Sequence, residues 1–252
     1  IYMNIQNNYK NKIVVITGSS GQIGRFAVNL FLNLGCLVYG FDLKKIDLNS
    51  KKFSFIKIDI SNLKNTQNKI NSIYKKHKKI DIFINNAAIS YKSHFSIRTQ
   101  LEMKKTFDVN LMSIINIIKI IAKNHKKKNH CKIINIASIY GINSPDFNIY
   151  DGNKNINSEI YGGTKAAVIQ ITKYFAVALA KKNIIINCIS PGGIGNKIIQ
   201  DQKFIKKYTK KVPMNRMGKV EDLESAFLYF SDQKTKYTTG QNLIIDGGLT
   251  LC

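Results

Sequence analysis

The chain has 252 residues, 44% of them apolar and 21% charged, with a formal net charge of +24. That length can bury a sizeable core and that composition is ordinary for a globular protein, while the longest apolar run (residues 111–121, broken by Ser113, Asn116 and Lys119) falls well short of the ~20 residues of a membrane-spanning helix. The polar, Asn-rich opening at residues 1–12 lacks the apolar segment of a secretory signal, and four scattered cysteines, Cys36, Cys131, Cys188 and Cys252, show no metal-ligand spacing and read as free thiols of a reducing cytoplasm.

In chain order, residues 12–17 read as a largely apolar strand and 24–34 as the helix after it. Residues 37–41 and 53–58 are the next strands, 62–76 a helix polar on one side, and 80–85 a further strand. A loop leads to a long helix over about 101–127, then to a buried strand at 131–137. After an irregular stretch come a helix at 161–182, a strand at 184–189, a short helix at 221–231 and a last strand at 242–245. Strands with little polar alternation, most followed by a helix, predict an α/β fold with a doubly wound parallel sheet covered on both faces. No linker or repeat divides the chain, so a single domain is expected, with residues 1–11 a flexible lead-in. The basic runs at 75–79, 123–128 and 181–182 each fall at a helix end just before a strand. In a parallel sheet that is the edge away from the ligand crevice, where they complement helix dipoles. They read as a solvated face rather than a nucleic-acid site.

Chemistry is suggested at three places. Thr17-Gly18-Ser19-Ser20-Gly21-Gln22-Ile23-Gly24 lies between the first strand and first helix, where glycines let backbone amides approach a pyrophosphate at a helix N-terminus. Asp42 ends the second strand, where a carboxylate accepts both ribose hydroxyls and repels a 2′-phosphate, pointing to NAD, with NADP disfavoured. Asp59, after the third strand, is placed to meet the adenine or, equally, to cap the next helix. Tyr161 and Lys165 stand at i and i+4 on one helix. An ammonium near a phenol is expected to pull its pKa down from about 10, so that it can exchange a proton with an alcohol oxygen at neutral pH.

With Asn85-Asn86-Ala87-Ala88, Asn110, Ser138, Pro191-Gly192, Thr239-Gly240-Gln241 and Asp246-Gly247-Gly248 in the same order, the chain resembles the short-chain dehydrogenase/reductase family from about residue 12 to 248. The resemblance implies a Rossmann-like fold, a nicotinamide cofactor and a homo-oligomer, dimer or tetramer, joined through long helices. It implies Tyr161 as general acid/base, Lys165 as its pKa modifier and a ribose ligand, Ser138 as a hydroxyl bonded to the substrate oxygen, and Asn110 as the holder of a water leading to Lys165. Cofactor contacts carried over in the same way are Gly18, Ser20, Gln22, Ile23, Asp42, Asp59, Ile60, Asn86, Ala87, Tyr161, Lys165, Pro191, Gly192 and Ile194, with no metal.

The chain departs from the family pattern in places. Thr164 replaces the serine common before the lysine, and Gly193-Ile194-Gly195-Asn196 stands where many relatives carry a threonine against the carboxamide, a contact that Asn196 is expected to take over. Between Ser138 and Tyr161 lie 22 residues, more than is usual in the family. The extra segment around 143–159, rich in amides and carboxylates, is expected at the mouth of the site, where it suits a polyhydroxylated ligand better than an acyl chain; a functionless surface insertion is the alternative. The phrases Ser144-Pro145-Asp146-Phe147, Ile149-Tyr150-Asp151-Gly152 and Ile160 to Lys165 are similar to bacterial short-chain oxidoreductases of flagellin-modification and legionaminic-type nonulosonic-acid sugar clusters.

The expectation is therefore a cytoplasmic, NAD-dependent oxidoreductase that interconverts a secondary alcohol and a ketone on a carbohydrate, for surface-glycan synthesis, with neither nucleic acid nor membrane as partner. A 3-oxoacyl-carrier-protein reductase, which would use NADPH, is the alternative enzyme. A non-catalytic NAD-binding regulator or nucleic-acid binder is the alternative of another class.

Overall fold

The sheet is built from strands whose two faces are both apolar. In β1 (Ile13–Thr17) all five side chains are buried: Val14 and Ile16 face one layer of helices, Ile13 and Val15 the other. A strand of this kind needs cover on both sides, and the chain supplies it. The structure, a computed structural model, describes residues 8–150, 156–196 and 200–252. It contains α1 (Gln22–Asn33), β2 (Leu37–Asp42), β3 (Phe53–Lys57), α2 (Leu63–His77), β4 (Ile82–Asn85), α3 (Gln100–Phe107), α4 (Ser113–Asn124), β5 (Cys131–Ile136), α5 (Glu159–Leu179), β6 (Ile184–Pro191), α6 (Gln202–Lys211), α7 (Glu224–Ser231) and β7 (Asn242–Ile245).

The seven strands run parallel in the order β3-β2-β1-β4-β5-β6-β7. The order reverses between β1 and β4, which opens a crevice at their carboxyl ends. Helices α1 and α7 cover one face through Val28, Phe31, Phe227 and Phe230. Helices α2, α4 and α5 cover the other through Ile70, Ile73, Ile117, Ile121 and Val168. The expected doubly wound sheet is the one found.

Four features differ from the sequence reading. The expected single helix at 101–127 is two helices joined by a π-turn at Asp108–Met112, which places Asn110. Its start is set by a capping box, Thr99 accepting from the Glu102 amide at 3.2 Å while Glu102 accepts from the Thr99 amide at 2.9 Å. The helix expected from 161 begins at Glu159, because Ser158 caps it by accepting from the Tyr161 amide at 3.1 Å. Helix α6 was not expected at all. Within the expected flexible lead-in, Tyr9 is buried, and its hydroxyl donates to the Leu228 carbonyl at 2.9 Å and lies 2.9 Å from Ser231 Oγ; residues 1–7 lie outside the described residues.

Lys75 and Lys76 sit in the last turn of α2, Lys123 in that of α4, and Lys181 and Lys182 in the short turn after α5, all at the edge away from the crevice. Among the described residues no helix is long and apolar enough to cross a membrane, and no group of three metal-ligating side chains comes together. Cys36, Cys131 and Cys188 are buried free thiols and Cys252 is exposed.

Candidate active site

A crevice of about 910 Å³ lies along the carboxyl ends of the strands. On its wall are Gly18, Ser20, Gln22, Ile23, Asp42, Asp59, Ile60, Asn86, Ala87, Tyr161, Lys165, Pro191, Gly192 and Ile194, together with Ser138. Of the expected site residues, Asn110 and Asn196 are off the wall.

Local geometry explains why the sequence folds this way. Gly18 has φ +64°, and a Cβ there would come within 2.7 Å of the Ala87 Cα. The loop is stitched to the end of β4: Thr17 Oγ1 accepts from the amides of Asn86 and Ala87 at 3.0 and 3.1 Å, and the Asn86 side chain donates to the carbonyls of Thr17 and Gly18 at 3.0 and 2.9 Å. Helix α1 opens into the crevice at Gly21 with neither a side-chain cap nor an acidic residue in its first turn. Its first amides and the positive end of its dipole therefore face the space where a pyrophosphate fits. Gln22 reaches across to donate to the Gly195 carbonyl at 2.7 Å.

At the far end Asp42 accepts from the amides of Ser20 and Lys44 at 2.9 and 3.0 Å. Its carboxylate is thus held at the end of β2, where it suits a ribose diol and repels a phosphate on it. The residues present fit NAD. Asp59 accepts from the amide and hydroxyl of Ser61 at 2.9 and 2.7 Å, and the cap of α2 is Asn62, accepting from Asn65, so the capping role considered for Asp59 is not realised.

Tyr161 and Lys165 project from one face of α5 towards the end of β5. The Ser138 hydroxyl stands near the Tyr161 phenol, where it favours the ionised form. Lys165 Nζ lies 5.6 Å from the Tyr161 ring centroid and donates to the Ile136 carbonyl at 2.7 Å. Burial pushes the Lys165 ammonium down to about 8, opposed by the nearby Cys188. Burial also raises the Tyr161 phenol above its ordinary value, opposed by the Ser138 hydroxyl. The expectation that Lys165 draws this phenol down is thus reversed: desolvation of the phenolate outweighs an ammonium that is turned to a backbone carbonyl and itself weakened by burial.

Asn110 is fully buried in the π-turn. Its side-chain oxygen accepts from the Ile89 amide at 2.8 Å, and its two N–H groups donate to the Ile89 carbonyl at 2.9 Å and to Thr164 Oγ1 at 3.3 Å. It ties the loop after β4 to α5, and its N–H donors are spent on protein rather than on a water. Thr164, the departure from the usual serine, is the residue that meets it. Asn196 does not line the crevice; its amide donates to Gln200 Oε1 at 2.8 Å. The crevice also has walls that the sequence did not suggest: Tyr91 from the loop after β4, and Lys105 and Asp108 from the end of α3 and the π-turn.

The extra segment was expected at the mouth of the site; none of its described residues lines the crevice, and they pack instead against α6 and the loop after β4. Ile149 is buried against Tyr208 and Val212 of and just after α6. On the other flank Asn157 accepts from Lys92 at 2.6 Å and Glu159 pairs with Arg98 at 2.8 Å. Asp151 and Gly152 lie outside the described residues.

A parallel sheet with a dinucleotide crevice at its switch point, and a serine, tyrosine and lysine converging on that crevice, define a nicotinamide-dependent oxidoreductase. More narrowly, the chain belongs to the short-chain dehydrogenase/reductase family, its residues 22–250 matching the family model described as enoyl-(acyl carrier protein) reductase. It is similar to the 3-oxoacyl-acyl-carrier-protein reductase FabG of Buchnera aphidicola, 29% identical over 96% of this chain and 98% of the relative. Among solved structures it is similar to a short-chain dehydrogenase from Leptospira borgpetersenii with bound NAD+, 36% identical with a TM-score of 0.92, covering 98% of this chain and 96% of the other. A 4-hydroxyisoleucine dehydrogenase complexed with NADH is 27% identical with a TM-score of 0.84, covering 96% and 100%.

Proposed function

We propose that the protein interconverts a secondary alcohol and a ketone with NAD, in the cytoplasm. The observation that carries the reading is the convergence of Ser138, Tyr161 and Lys165 on a crevice edged by the Asp42 carboxylate. NAD, when bound, supplies the hydride acceptor or donor at its nicotinamide ring. The Ser138 hydroxyl donates to the substrate oxygen and holds it against Tyr161. With its pKa raised by burial, Tyr161 is protonated at neutral pH, so it gives its proton to the oxygen in the reductive direction; in the oxidative direction it first loses that proton and, as the phenolate, takes the one from the alcohol. Lys165, at about 8, carries a proton that it can exchange near neutrality and stabilises the phenolate while one exists.

Of the substrate readings, the 3-oxoacyl thioester has the support of the Buchnera relative, and an acyl-carrier-protein substrate that of the family model's description. The carbohydrate reading rests on the composition of the extra segment, rich in amides and carboxylates such as Asp146, Asn148, Asn157 and Glu159. Initial rates with acetoacetyl thioesters and a panel of sugar alcohols and keto-sugars, each with NAD(H) and NADP(H), test both. The acyl reading requires thioester rates at least tenfold above those of any sugar. The oxidoreductase reading fails if no member of either panel turns over in a protein that binds NAD. A homo-oligomer is part of the proposal, supported by the exposed Tyr174 and Val177 on α5.

A further inference from the structure

Tyr140 and Tyr150 are bonded hydroxyl to hydroxyl at 2.5 Å, and each has a different anchorage. Tyr140 belongs to the short turn that begins at Ser138, whose Oγ accepts from the Tyr140 amide at 3.2 Å. That turn is pressed against α5: a Cβ on Gly141 would come within 2.6 Å of the Lys165 backbone carbon, and a Cβ on Gly162 within 2.9 Å of the Tyr140 carbonyl oxygen. Where Ser138 and Tyr161 stand relative to each other is therefore decided where Tyr140 stands.

Tyr150 comes from the extra segment and packs against α6. Its ring lies 5.2 Å from Phe204, which lies 5.6 Å from Tyr208. Tyr208 accepts from the Gly193 amide at 2.6 Å, one residue beyond the Pro191-Gly192 wall of the cofactor crevice. Asp146 pairs with Lys211 at 3.3 Å and Lys207 donates to the Asn148 carbonyl at 3.3 Å, so the segment and α6 are fastened at several points. The phenolic pair is a hydrogen bond that joins this assembly to the Ser138 turn. Burial raises both phenols, Tyr140 additionally through Tyr150 and Tyr161, so both stay protonated and the bond persists across the working pH range.

We propose that Tyr150 is a positioning residue for the reaction: through Tyr140 it locks the extra segment and α6 to the turn carrying Ser138, so that the catalytic hydroxyls and the Gly193 end of the cofactor loop are held as one unit. The extra segment is then part of the working site rather than a surface loop. The inference rests on the proposed oxidoreductase activity, and Tyr150 is not placed in contact with substrate.

Tyr150→Phe keeps the ring against Phe204 and removes the 2.5 Å contact, leaving the half-buried Tyr140 phenol without this partner. The expected result is a fall in kcat of about tenfold, the order set by losing one half-buried hydrogen bond that holds the Ser138 turn, with the Kd for NAD changed less than twofold. Tyr140→Phe gives the same fall, and the double variant falls no further, since the two share one bond. A Tyr150→Phe enzyme within twofold of wild-type kcat, or a double variant in which the two losses multiply, overturns the proposal. Hydrogen exchange needs no substrate and so separates this inference from the proposed activity. In Tyr150→Phe the amides of residues 139–142 and of Gly193 are expected to exchange several-fold faster, and unchanged exchange at both places overturns the coupling even if no substrate turns over.

Discussion

Lys165→Met tests whether burial governs the catalytic lysine. In the folded chain the ammonium is 2% exposed and sits at about 8, against about 10.4 for a lysine in an unfolded chain. Because the folded value is lowered, the charged form costs stability below about pH 8, and the cost is relieved as pH rises towards the unfolded value, where the unfolded chain holds a proton the folded chain has released. From pH 8 to 9 the folded lysine goes from about half to about nine-tenths deprotonated, which integrates to about 1 kcal/mol of added stability. The full span is about 3 kcal/mol. Other groups titrate nearby. Cys36 and Cys188 are pushed up to about 12 by burial, which lowers stability at alkaline pH, and Lys132 is pushed down to about 8. Those of Cys36 and Lys132 are common to both proteins and cancel in the difference; Cys188 interacts with Lys165, but its thiol stays protonated through pH 9 and so adds little over the interval measured. Urea unfolding of wild type and Lys165→Met at about pH 7, 8 and 9 should therefore show wild type gaining about 1 kcal/mol on the variant over the last interval, and little over the first. A difference that stays constant from pH 7 to 9 would refute the assignment of a depressed pKa to this lysine.

Tyr161→Phe should reduce kcat by at least about a hundredfold while NAD, titrated by calorimetry, binds within about twofold of wild type. Gly18→Val meets both a φ of +64° and an approach of 2.7 Å to backbone, so thermal melting should show a loss of about 2 kcal/mol, and NAD affinity should fall as the loop is displaced. Asp42→Ala removes the carboxylate held by Ser20 and Lys44, and the ratio of kcat/KM for NADP to that for NAD should rise about tenfold or more; an unchanged ratio would place cofactor choice elsewhere.

The strands and the nucleotide loop could be read from the sequence because their signals are local. Val14 and Ile16 must be buried as surely as Ile13 and Val15, which only a sheet covered on both faces allows. Gly18 needs its positive φ whatever surrounds it, and Tyr161 and Lys165 share a face through helix geometry alone. Helix α6 escaped notice for the opposite reason. Its apolar positions Phe204 and Tyr208, with Val212 just beyond, recur every fourth residue, a helical signal hidden among Lys203, Lys206, Lys207, Lys210 and Lys211. The π-turn at Asp108–Met112 lies inside an unbroken helical pattern, and what demands it is Asn110 reaching Ile89, a contact across the fold that no periodicity records.

The same distinction explains why the direction of the Tyr161 shift came out reversed. Spacing on a helix places an ammonium near a phenol, and from that alone a lowered pKa follows. Desolvation depends on what packs around the pair, and here the Ser138 turn, clamped by Gly141 against the Lys165 backbone, closes over it. The protonated phenol is consequently the resting form, and Lys165, turned to the Ile136 carbonyl, acts on the phenolate only once the proton has moved. Catalysis in the oxidative direction must therefore begin by taking a proton from Tyr161, so rates of alcohol oxidation should keep rising with pH above neutrality while rates of ketone reduction do not.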